Sequence, residues 1–318
     1  MAPKPKLSLI IASYNAGGTI GACLEALRRQ SSTPDVEIIV VDSSPDDAVG
    51  LVAARYPEVQ LHRFRERKFP GDARNLGIAR AKGEIIAFID ADCVAAPNWV
   101  AEIFQAHQSP HPAIGGAIGN APPGNAVGWA AYFCEFTKWM PGLPPRWCAD
   151  IPTANMSYKR EVFDKFGGFL EGGYCSDTEF HWRLGKQGYR LRFNPEMLVL
   201  HRSLHQMGKF LRHEYMHGRS FAQVRVRVRE FPPWRRFLYV LGAPLIPLKL
   251  FLDIGRRIFH TGLYRQPFIK TAPFLLLGLI SWSWGECVGY LLGEARRGAP
   301  TPAGGQQVAT ASAVEKAG

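Results

Sequence analysis

The stretch Glu-Ile-Ile-Ala-Phe-Ile-Asp-Ala-Asp at residues 84–92 has the pattern of a buried strand that ends in two acids. Side chains alternate across a strand, so Asp90 and Asp92 point the same way from its carboxyl end. Paired carboxylates are suitable ligands for Mg²⁺ or Mn²⁺, and such an ion can bridge them to a diphosphate. The alternative is an acidic turn that only ends the strand.

Short apolar runs alternate with amphipathic stretches along the first ninety residues. The predicted elements are strands at 7–12, 36–41 and 59–64 and helices at 19–29, 46–55 and 72–82. We expect Gly83 to close the last helix. This alternation predicts right-handed βαβ units, a doubly wound α/β fold with a parallel sheet, and helices on both faces. Ligands bind at the carboxyl edge of such sheets, where Asp90 and Asp92 are expected to lie.

The pattern changes after Asp92. Residues 110–152 are rich in Gly, Pro and aromatic residues, which predicts a long irregular region that faces the substrate. A helix is predicted at 176–187 and strand segments at 190–201. We divide the chain into a catalytic domain at 1–232, an apolar and basic helical region at 233–297, and a disordered tail at 298–318.

The chain is large and basic. With 318 residues, 47% of them hydrophobic, it can bury a full core. Its net charge of +11 indicates an anionic partner, such as a nucleotide, a nucleic acid or a membrane. Many later arginines flank apolar runs, which favours a membrane surface over nucleic acid. The six cysteines lack zinc-site spacing, and the first residues lead into a strand without an apolar signal segment, so we expect a cytosolic catalytic part.

Charged residues follow the second strand and open the third helix. Asp42 suits hydrogen bonds to a nucleobase or ribose, and the alternative is turn formation. Arg74 lies in the first turn of a helix, where a cation is locally unfavourable, so a phosphate or an acidic partner would explain it. The alternative for Arg74 is an exposed ion pair with Asp72 or Glu66.

Five segments occur in order within residues 6–202. They are Ala-Ser-Tyr-Asn at 12–15, Val-Val-Asp-Ser-Ser at 40–44, Gly-Asp-Ala-Arg-Asn at 71–75, Asp-Ala-Asp at 90–92 and Ser-Asp-Thr-Glu-Phe-His-Trp-Arg at 176–183. Together they resemble the family 2 glycosyltransferases, whose fold is GT-A. The resemblance implies an inverting, hexosyltransferase-class transfer of sugar from a nucleotide-diphosphate donor to a hydroxyl acceptor, assisted by Mg²⁺ or Mn²⁺.

The resemblance implies roles for residues on the donor side. Ser13, Tyr14 and Asp42 would hold the nucleoside. Arg74 would lie near the base or the diphosphate. Asp90 would contact the ribose or support the metal.

The resemblance also implies a metal ligand and a base. Asp92 would ligate the metal directly, and His201 would face the metal and diphosphate unless it is only a partly exposed residue at a strand end. Asp177 falls where the family keeps its general base. The alternative for Asp177 is an ordinary first-turn acid, in a capping box with Ser176 as the N-cap and Glu179 as the third residue.

Two further positions are assigned to the acceptor side. Asn155, in Thr-Ala-Asn-Met-Ser at 153–157, resembles a family position beside the acceptor, and its alternative is a turn at a strand edge. Arg183 is placed on the same side, with a diphosphate contact or a helix-packing role beside an acid as its alternatives.

Two other functions compete with sugar transfer. A sugar nucleotidyltransferase shares the sheet and the metal, but it is expected to begin with a basic Gly-rich loop, and residues 12–18 hold neither Lys nor Arg. A non-catalytic, membrane-bound protein that binds nucleotide sugars would need no base at Asp177. Processive synthases of the family carry Gln-x-x-Arg-Trp, which does not follow residue 183, so transfer of a single sugar is favoured.

Two uncharged runs, 237–248 and 271–285, lie near the end of the chain. They are shorter than the roughly 20 residues of a comfortable span, and Pro244, Pro247 and Pro273 interrupt them. The basic residues that flank both runs are Arg235, Arg236, Arg256, Arg257, Arg265, Lys270, Arg296 and Arg297.

This arrangement predicts interfacial helices that bind anionic headgroups on the cytoplasmic face of the membrane. A lipid or lipid-linked acceptor, in cell-envelope glycan or glycolipid synthesis, follows as a corollary. The alternatives are a helical pair packed on the core and two tilted spans.

Overall fold

A nine-stranded mixed sheet lies at the centre of the structure, a computed structural model that describes residues 5–30, 35–122 and 124–293. The strands are β1 (Leu7–Ser13), β2 (Val36–Asp42), β3 (Val59–Arg63), β4 (Ile85–Ile89), β5 (Cys93–Ala95), β6 (Ala113–Asn120), β7 (Arg146–Cys148), β8 (Asn155–Lys159) and β9 (Leu191–His201). They lie in the order β3-β2-β1-β4-β8-β6-β9-β5, and β7 pairs with β9.

Helices connect the strands and continue beyond them. They are α1 (Ile20–Arg28), α2 (Ala48–Ala53), α3 (Pro70–Ile78), α4 (Trp99–Ala106), α5 (Ala126–Phe136), α6 (Glu161–Phe166), α7 (Ser176–Lys186), α8 (Met207–Arg229), α9 (Pro233–Gly242), α10 (Ile246–Thr261) and α11 (Arg265–Leu292). The catalytic-domain boundary predicted after residue 232 falls just before α9 and stays a prediction. The predicted tail at 298–318 and the arginines at 296 and 297 lie outside the described residues.

The N-terminal half of the sheet has the predicted doubly wound arrangement. Strands β3, β2, β1 and β4 are parallel, and consecutive residues of β1 and β2 are buried, as expected when helices cover both faces. Ser13 and Asp42 are register partners at the ends of β1 and β2. Since β4 lies on the other side of β1, Asp90 emerges at the same edge.

Residues 110–152, predicted to be irregular, contain β6, α5 and β7, so that prediction is wrong. The glycines of β6 serve close packing and do not form a loop. A Cβ added at Gly116 would lie 1.9 Å from the carbonyl oxygen of Met197, and one at Gly115 would lie 2.7 Å from the sulfur of Met156. Glycine here lets β8 and β9 approach β6 closely.

The end of α3 also differs from the prediction. The helix ends at Ile78, and Gly83 follows a separate turn before β4. Gly83 is needed for a different reason, because an added Cβ would lie 2.6 Å from the backbone nitrogen of Ser8 on β1.

The predicted capping box at the start of α7 is wrong. Cys175, in the left-handed conformation with φ of 58°, is the N-cap, and Ser176 is the first helical residue. The Glu179 carboxylate binds Arg183 one turn later, at 3.2 Å, so it is not available to cap the backbone. Glu179 is a structural residue of α7.

The longest helix, α11, packs against α8 and α5 along its length. Three glycines bring α8 and α11 close together. A Cβ added at Gly218 would lie 2.1 Å from the carbonyl oxygen of Trp282. A Cβ added at Gly285 would lie 2.1 Å from the carbonyl oxygen of Tyr215, and one at Gly289 would lie 2.4 Å from that of Arg219. Backbone contact of this kind fixes how the C-terminal helices sit on the sheet domain.

An exposed apolar surface runs along α9 and α10. We call it the outer stripe, and its members, each 49–70% exposed, are Trp234, Phe237, Leu241, Leu245, Leu248 and Leu252. The stretches Pro233–Thr261 and Arg265–Leu292 are each long and apolar enough to cross a membrane. Within the apolar 18-residue segment of each stretch, 11% and 44% of the residues are buried, respectively. The two helical stretches are consistent with a membrane-associated region.

Gly285→Ala should lower the free energy of unfolding by about 1–3 kcal/mol, because the new methyl group forces α8 and α11 apart. Gly185→Ala on α7 is the matched control, since no atom lies within 4 Å of its added Cβ. The control should change stability by less than about 1 kcal/mol, in the stabilising direction. Chemical denaturation of both variants checks this, and equal stabilities would contradict the close helix crossing.

Candidate active site

A cavity of about 920 Å³ opens between the carboxyl edge of the sheet and the C-terminal helices. Its sheet side includes Asp90, Asp92 and Asp177, and α10 and α11 supply the opposite wall. The predicted catalytic domain and the predicted C-terminal helical region therefore enclose one cavity.

Arg74 is the buried cation of this cavity. It is 6% exposed, and its Nη2 donates to Asp90 Oδ1 at 2.8 Å. The exposed ion pairs considered from sequence are not formed, because Asp72 accepts from the backbone N–H groups of Phe69 and Gly172 at 3.1 and 2.8 Å. The acidic partner of Arg74 is Asp90, which follows β4.

Asp177 lies in the first turn of α7 with its carboxylate held from two sides. Oδ2 accepts from the backbone N–H and the hydroxyl of Thr153, both at 3.3 Å, and Oδ1 accepts from the backbone N–H of Thr178 at 2.8 Å. Burial raises the pKa of Asp177, but Arg74, His181 and these hydrogen bonds outweigh it, so the pKa is lowered. Asp177 is ionised at neutral pH.

Asp92 and His201 meet at the same edge. His201 Nε2 lies 3.4 Å from Asp92 Oδ1, and Ser203 Oγ lies 3.3 Å from His201 Nδ1. Asp92 Oδ1 is buried and has no hydrogen-bond partner among the described residues. Burial raises the pKa of Asp92, His201 lowers it, and the neighbouring charge of Asp90 raises it, so the pKa is raised overall.

The Asp92–His201 pair fits a divalent cation. Ligand atoms of Asp92, Cys93 and His201 all lie within 4.8 Å of one another. A cation there would remove the repulsion between Asp90 and Asp92 and would occupy the unpartnered oxygen. Burial raises the pKa of Cys93 well above its usual range, so it is a neutral thiol and a poor ligand for Mg²⁺ or Mn²⁺.

The predicted nucleoside contacts lie along the same edge, Ser13 and Tyr14 one strand away from β4 and Asp42 two strands away. Asp42 is fully buried, and its Oδ1 accepts from the hydroxyl of Ser44 at 2.7 Å. Ser13 Oγ and Asp42 Oδ2 have no hydrogen-bond partner in the described parts of the chain. Tyr14 is 40% exposed, with the guanidinium of Arg67 4.6 Å from its ring centre. Asp42 Oδ2 also lies 3.7 Å from Arg63 Nε, within ion-pair distance. The edge thus carries buried polar oxygens beside a partly exposed aromatic ring.

Asn155 lies behind the cavity and not at its surface, contrary to the sequence-based expectation. It is fully buried in β8, and its side-chain amide donates to the carbonyl oxygens of Ala117 and Met197 at 2.8 and 2.7 Å. Its oxygen accepts from the indole of Trp99 at 2.8 Å. The amide is saturated inside the sheet, and Thr153 reaches the cavity instead.

Arg183 is likewise a structural residue, so its placement on the acceptor side is corrected. Its guanidinium donates to the carbonyl oxygens of Phe166 and Gly168 and to Glu179. It also lies over the ring of Phe180, 4.9 Å from the ring centre. The Arg183 hydrogen bonds thus connect α7 to the C-terminal end of α6.

A partly buried polar cluster from α5 and α8 lines the cavity beside Asp92, and sequence reasoning missed it. His213 Nε2 lies 3.5 Å from Glu135 Oε1, and the rings of His213 and His217 are 4.3 Å apart. Burial alone would raise the pKa of Glu135 and lower that of His213. The attraction between the two groups outweighs burial, so the pKa of Glu135 is about 2 and the pKa of His213 is about 9. Both residues are therefore charged at neutral pH.

Glu214 completes this cluster. Burial raises its pKa well above the usual range, and the Glu135 charge raises it further, so Glu214 is protonated. His213 and His217 are four residues apart, a spacing that puts two side chains on one face of a helix, and this was the signal available in the sequence.

Comparisons with known proteins agree with this architecture. The model of the family described as "Glycosyl transferase family 2" matches residues 8–167, half of the chain. Glycosyltransferase AglE of Haloferax volcanii is 26% identical over 292 residues, which cover 87% of this chain and 92% of AglE. The putative glycosyltransferase EpsH of Bacillus subtilis is 37% identical over 105 residues, 32% of this chain and 30% of EpsH, so the chain spans less than a third of that relative.

The solved structure of a mannosyltransferase from Pyrobaculum calidifontis, in complex with GDP-Man and Mn²⁺, has the same fold. The TM-score is 0.60 at 18% identity, over 89% of this chain and 87% of that one. The GT-A fold predicted from the sequence is confirmed. Together with the family match, these likenesses establish that the chain belongs to glycosyltransferase family 2.

Proposed function

We propose that this protein is an inverting, metal-dependent glycosyltransferase that moves one sugar from a nucleotide-diphosphate donor to a hydroxyl acceptor. The observation that carries the proposal is that Asp92, Arg74 and Asp177 face one cavity at the carboxyl edge of the sheet. The GDP-Man and Mn²⁺ bound by the mannosyltransferase of the same fold support this kind of donor and cofactor.

The donor would lie along the edge of the sheet. The ring of Tyr14 suits stacking with a nucleobase. Ser13 Oγ and Asp42 Oδ2, which lack a hydrogen-bond partner among the described residues, suit hydrogen bonds to the base or ribose. Asp92 and His201 would hold Mg²⁺ or Mn²⁺, which, when bound, neutralises the charge of the departing diphosphate. Asp90, fixed by Arg74, supports this end of the site.

Asp177 is the proposed general base. Its carboxylate is ionised and held by Thr153 and Thr178, so it can accept the proton of an acceptor hydroxyl as that oxygen attacks the anomeric carbon. Attack from the face opposite the diphosphate inverts the configuration in one displacement. A non-catalytic nucleotide-sugar binder would have no use for an ionised carboxylate in this position.

We also propose that the C-terminal helices attach the catalytic domain to the cytoplasmic face of a membrane. The outer stripe of α9 and α10 gives an apolar surface, and basic residues at Arg235, Arg256 and Lys270 suit anionic headgroups. The close packing of α11 on α8 supports interfacial attachment over spanning, because α8 carries many charged residues.

Removal of the metal should stop sugar transfer. Treatment with EDTA is expected to abolish turnover, and Asp92→Ala should lower kcat by about a hundredfold or more, because several kcal/mol of charge stabilisation are lost. Asp164→Ala, an exposed acid on α6, is the control and should leave turnover unchanged. Activity assays with added Mn²⁺ check this, and full activity in EDTA would refute metal dependence.

Asp177→Asn should lower kcat by about 10²- to 10⁴-fold while the affinity for the nucleoside diphosphate is kept, because only the base is lost. An α-linked donor should give a β-linked product in the native enzyme. Calorimetry and NMR of the anomeric proton measure the two effects. A product with retained configuration, or a normal rate in Asp177→Asn, is the outcome that would rule out this mechanism.

Replacing Leu241, Leu245 and Leu248 by serine should weaken binding to vesicles that contain phosphatidylglycerol by about tenfold or more, because the buried apolar area is lost. Leu51→Ser is the control, since Leu51 is 69% exposed on α2, away from the outer stripe. Vesicle co-sedimentation is the measurement. An intact chain that stays in solution when vesicles are pelleted would contradict membrane attachment.

A further inference from the structure

A second pocket, of about 420 Å³, lies beside the catalytic cavity, and the proposed reaction has not used it. We call it the side pocket. Its walls come from β7, α7 and the end of α8, and they carry the side chains of Trp147, Trp182, Lys186, Arg190 and Arg229. Three of the described lining residues are cations and none of them is an acid. A concave surface of this composition suits an anionic ligand.

Two of the three cations are held in place and stay accessible. The guanidinium of Arg190 lies 5.0 Å from the ring centre of Trp147, and that of Arg229 lies 5.0 Å from the ring centre of Trp182. Both arginines are exposed. Stacking on an indole restricts the plane of a guanidinium but leaves its N–H groups, which point outward in that plane, able to donate to a ligand. The side pocket thus presents oriented donors to carboxylate or phosphate oxygens.

The acids near the side pocket leave most of its positive charge in place. In the described part of the chain, Lys186 is the pocket cation that forms an ion pair, with Glu230 at 3.2 Å, and Glu230 is 84% exposed, so the pair is weak. Asp150 lines the catalytic cavity and not the side pocket. Burial raises the pKa of Asp150, and Lys138 opposes this more than Arg229 does.

The side pocket and the catalytic cavity follow each other along the same two segments of the chain. On α7, Asp177 lines the cavity, and His181, one helical turn later, lines the side pocket, as does Lys186. On the neighbouring segment, residues 147–149 line the side pocket, and Thr153, which binds Asp177, lines the cavity. A ligand with one end at Asp177 can therefore extend along α7 to the side pocket.

The lining argues against a lipid chain and against a nucleobase. Val228 is the large aliphatic side chain among the described lining residues, and no member of the outer stripe takes part, so an apolar chain would bury little apolar surface here. Guanidinium groups already lie over both indoles, and Arg192 also lies over Trp147, at 5.4 Å from the ring centre. A stacked nucleobase would have to compete with these groups. The ligand that fits is polar and anionic.

We infer that the acceptor is an acidic saccharide: its terminal hydroxyl lies at Asp177, and carboxylate or phosphate groups on the following sugar units bind the side pocket. This inference rests on the proposed function and adds the chemical class of the acceptor. The sugar hydroxyls suit the same pocket, because ammonium and guanidinium N–H groups donate to neutral oxygens as well as to charged ones.

Calorimetric titration of the full-length protein with trigalacturonate tests the inference without any transfer reaction. Maltotriose has the same number of sugar rings without charge, and citrate has the same number of carboxylates without sugar rings. Trigalacturonate should bind about tenfold or more tightly than either probe, because it alone combines both features. Trp147 and Trp182 line the side pocket, so tryptophan fluorescence provides a second readout.

The double variant Arg190→Gln, Arg229→Gln should weaken trigalacturonate binding by about tenfold or more, because charge-assisted hydrogen bonds are lost. The double variant Arg55→Gln, Arg65→Gln is the matched control. It removes the same charge from exposed residues on either side of β3, at the end of the sheet away from β7 and β9, and should change binding by less than about twofold. Thermal unfolding of both variants confirms that each is folded.

Four results would overturn the inference. Equal binding of maltotriose removes the role of the acidic groups, and equal binding of citrate removes the role of the sugar rings. Equal losses in the two double variants would indicate attraction by net charge alone. Loss of binding to phosphatidylglycerol vesicles in Arg190→Gln, Arg229→Gln, with trigalacturonate binding unchanged, would assign the side pocket to lipid headgroups.

Failure of the proposed function is distinguishable from failure of this inference. It would appear as absent metal-dependent binding of a nucleoside diphosphate, while the trigalacturonate results stand.

Discussion

The ion pair between Arg74 and Asp90 is the interaction on which the site depends. The end of β4 and the start of α7 place three acids, Asp90, Asp92 and Asp177, at one cavity. Their mutual repulsion would be costly in this partly buried space. Arg74 lies 2.8 Å from Asp90 and lowers the pKa of Asp177 after burial has raised it. A buried guanidinium is itself stable only beside such acids. Helix α3, strand β4 and helix α7 are thereby linked by charge.

The same principle extends to the cavity wall. Glu135 and His213 neutralise each other next to Asp92, and Glu214 avoids a further charge by staying protonated. The cavity therefore carries acidic groups at the edge of the sheet and a compensated ion pair beside them.

The C-terminal helices form one wall of the cavity. The glycine contacts hold α11 close against α8, and side chains of α10 and α11 line the cavity opposite the sheet. Helix α10 also carries Leu248 and Leu252 of the outer stripe, which are 58% and 49% exposed.

Local patterns allowed much of this to be predicted. The alternation of buried strands and helices through residue 92 is a periodic signal, and it located β1 to β4 and the acids at their ends. The strand β6 was missed because its glycines, needed for close packing, have the composition of a loop. Asn155 and Arg183 were misplaced because their partners, Met197 and Phe166 among them, are defined only by tertiary packing.

The cluster of Glu135 and His213 was missed for the same reason, since α5 and α8 are about 70 residues apart in the chain. The apolar runs were recognised, but the packing of α11 between α5 and α8 depends on glycine contacts that its sequence pattern does not reveal.

Arg74 is the largest of the influences that lower the pKa of the Asp177 carboxyl group, and titration of that group measures its effect directly. Aspartate labelled with ¹³C allows NMR titration of Asp177 in the native protein and in Arg74→Gln. We expect a pKa below the ordinary value of 3.8 in the native protein and a clearly higher value in the variant, where burial is less opposed. The same pKa in both proteins would rule out this role for Arg74.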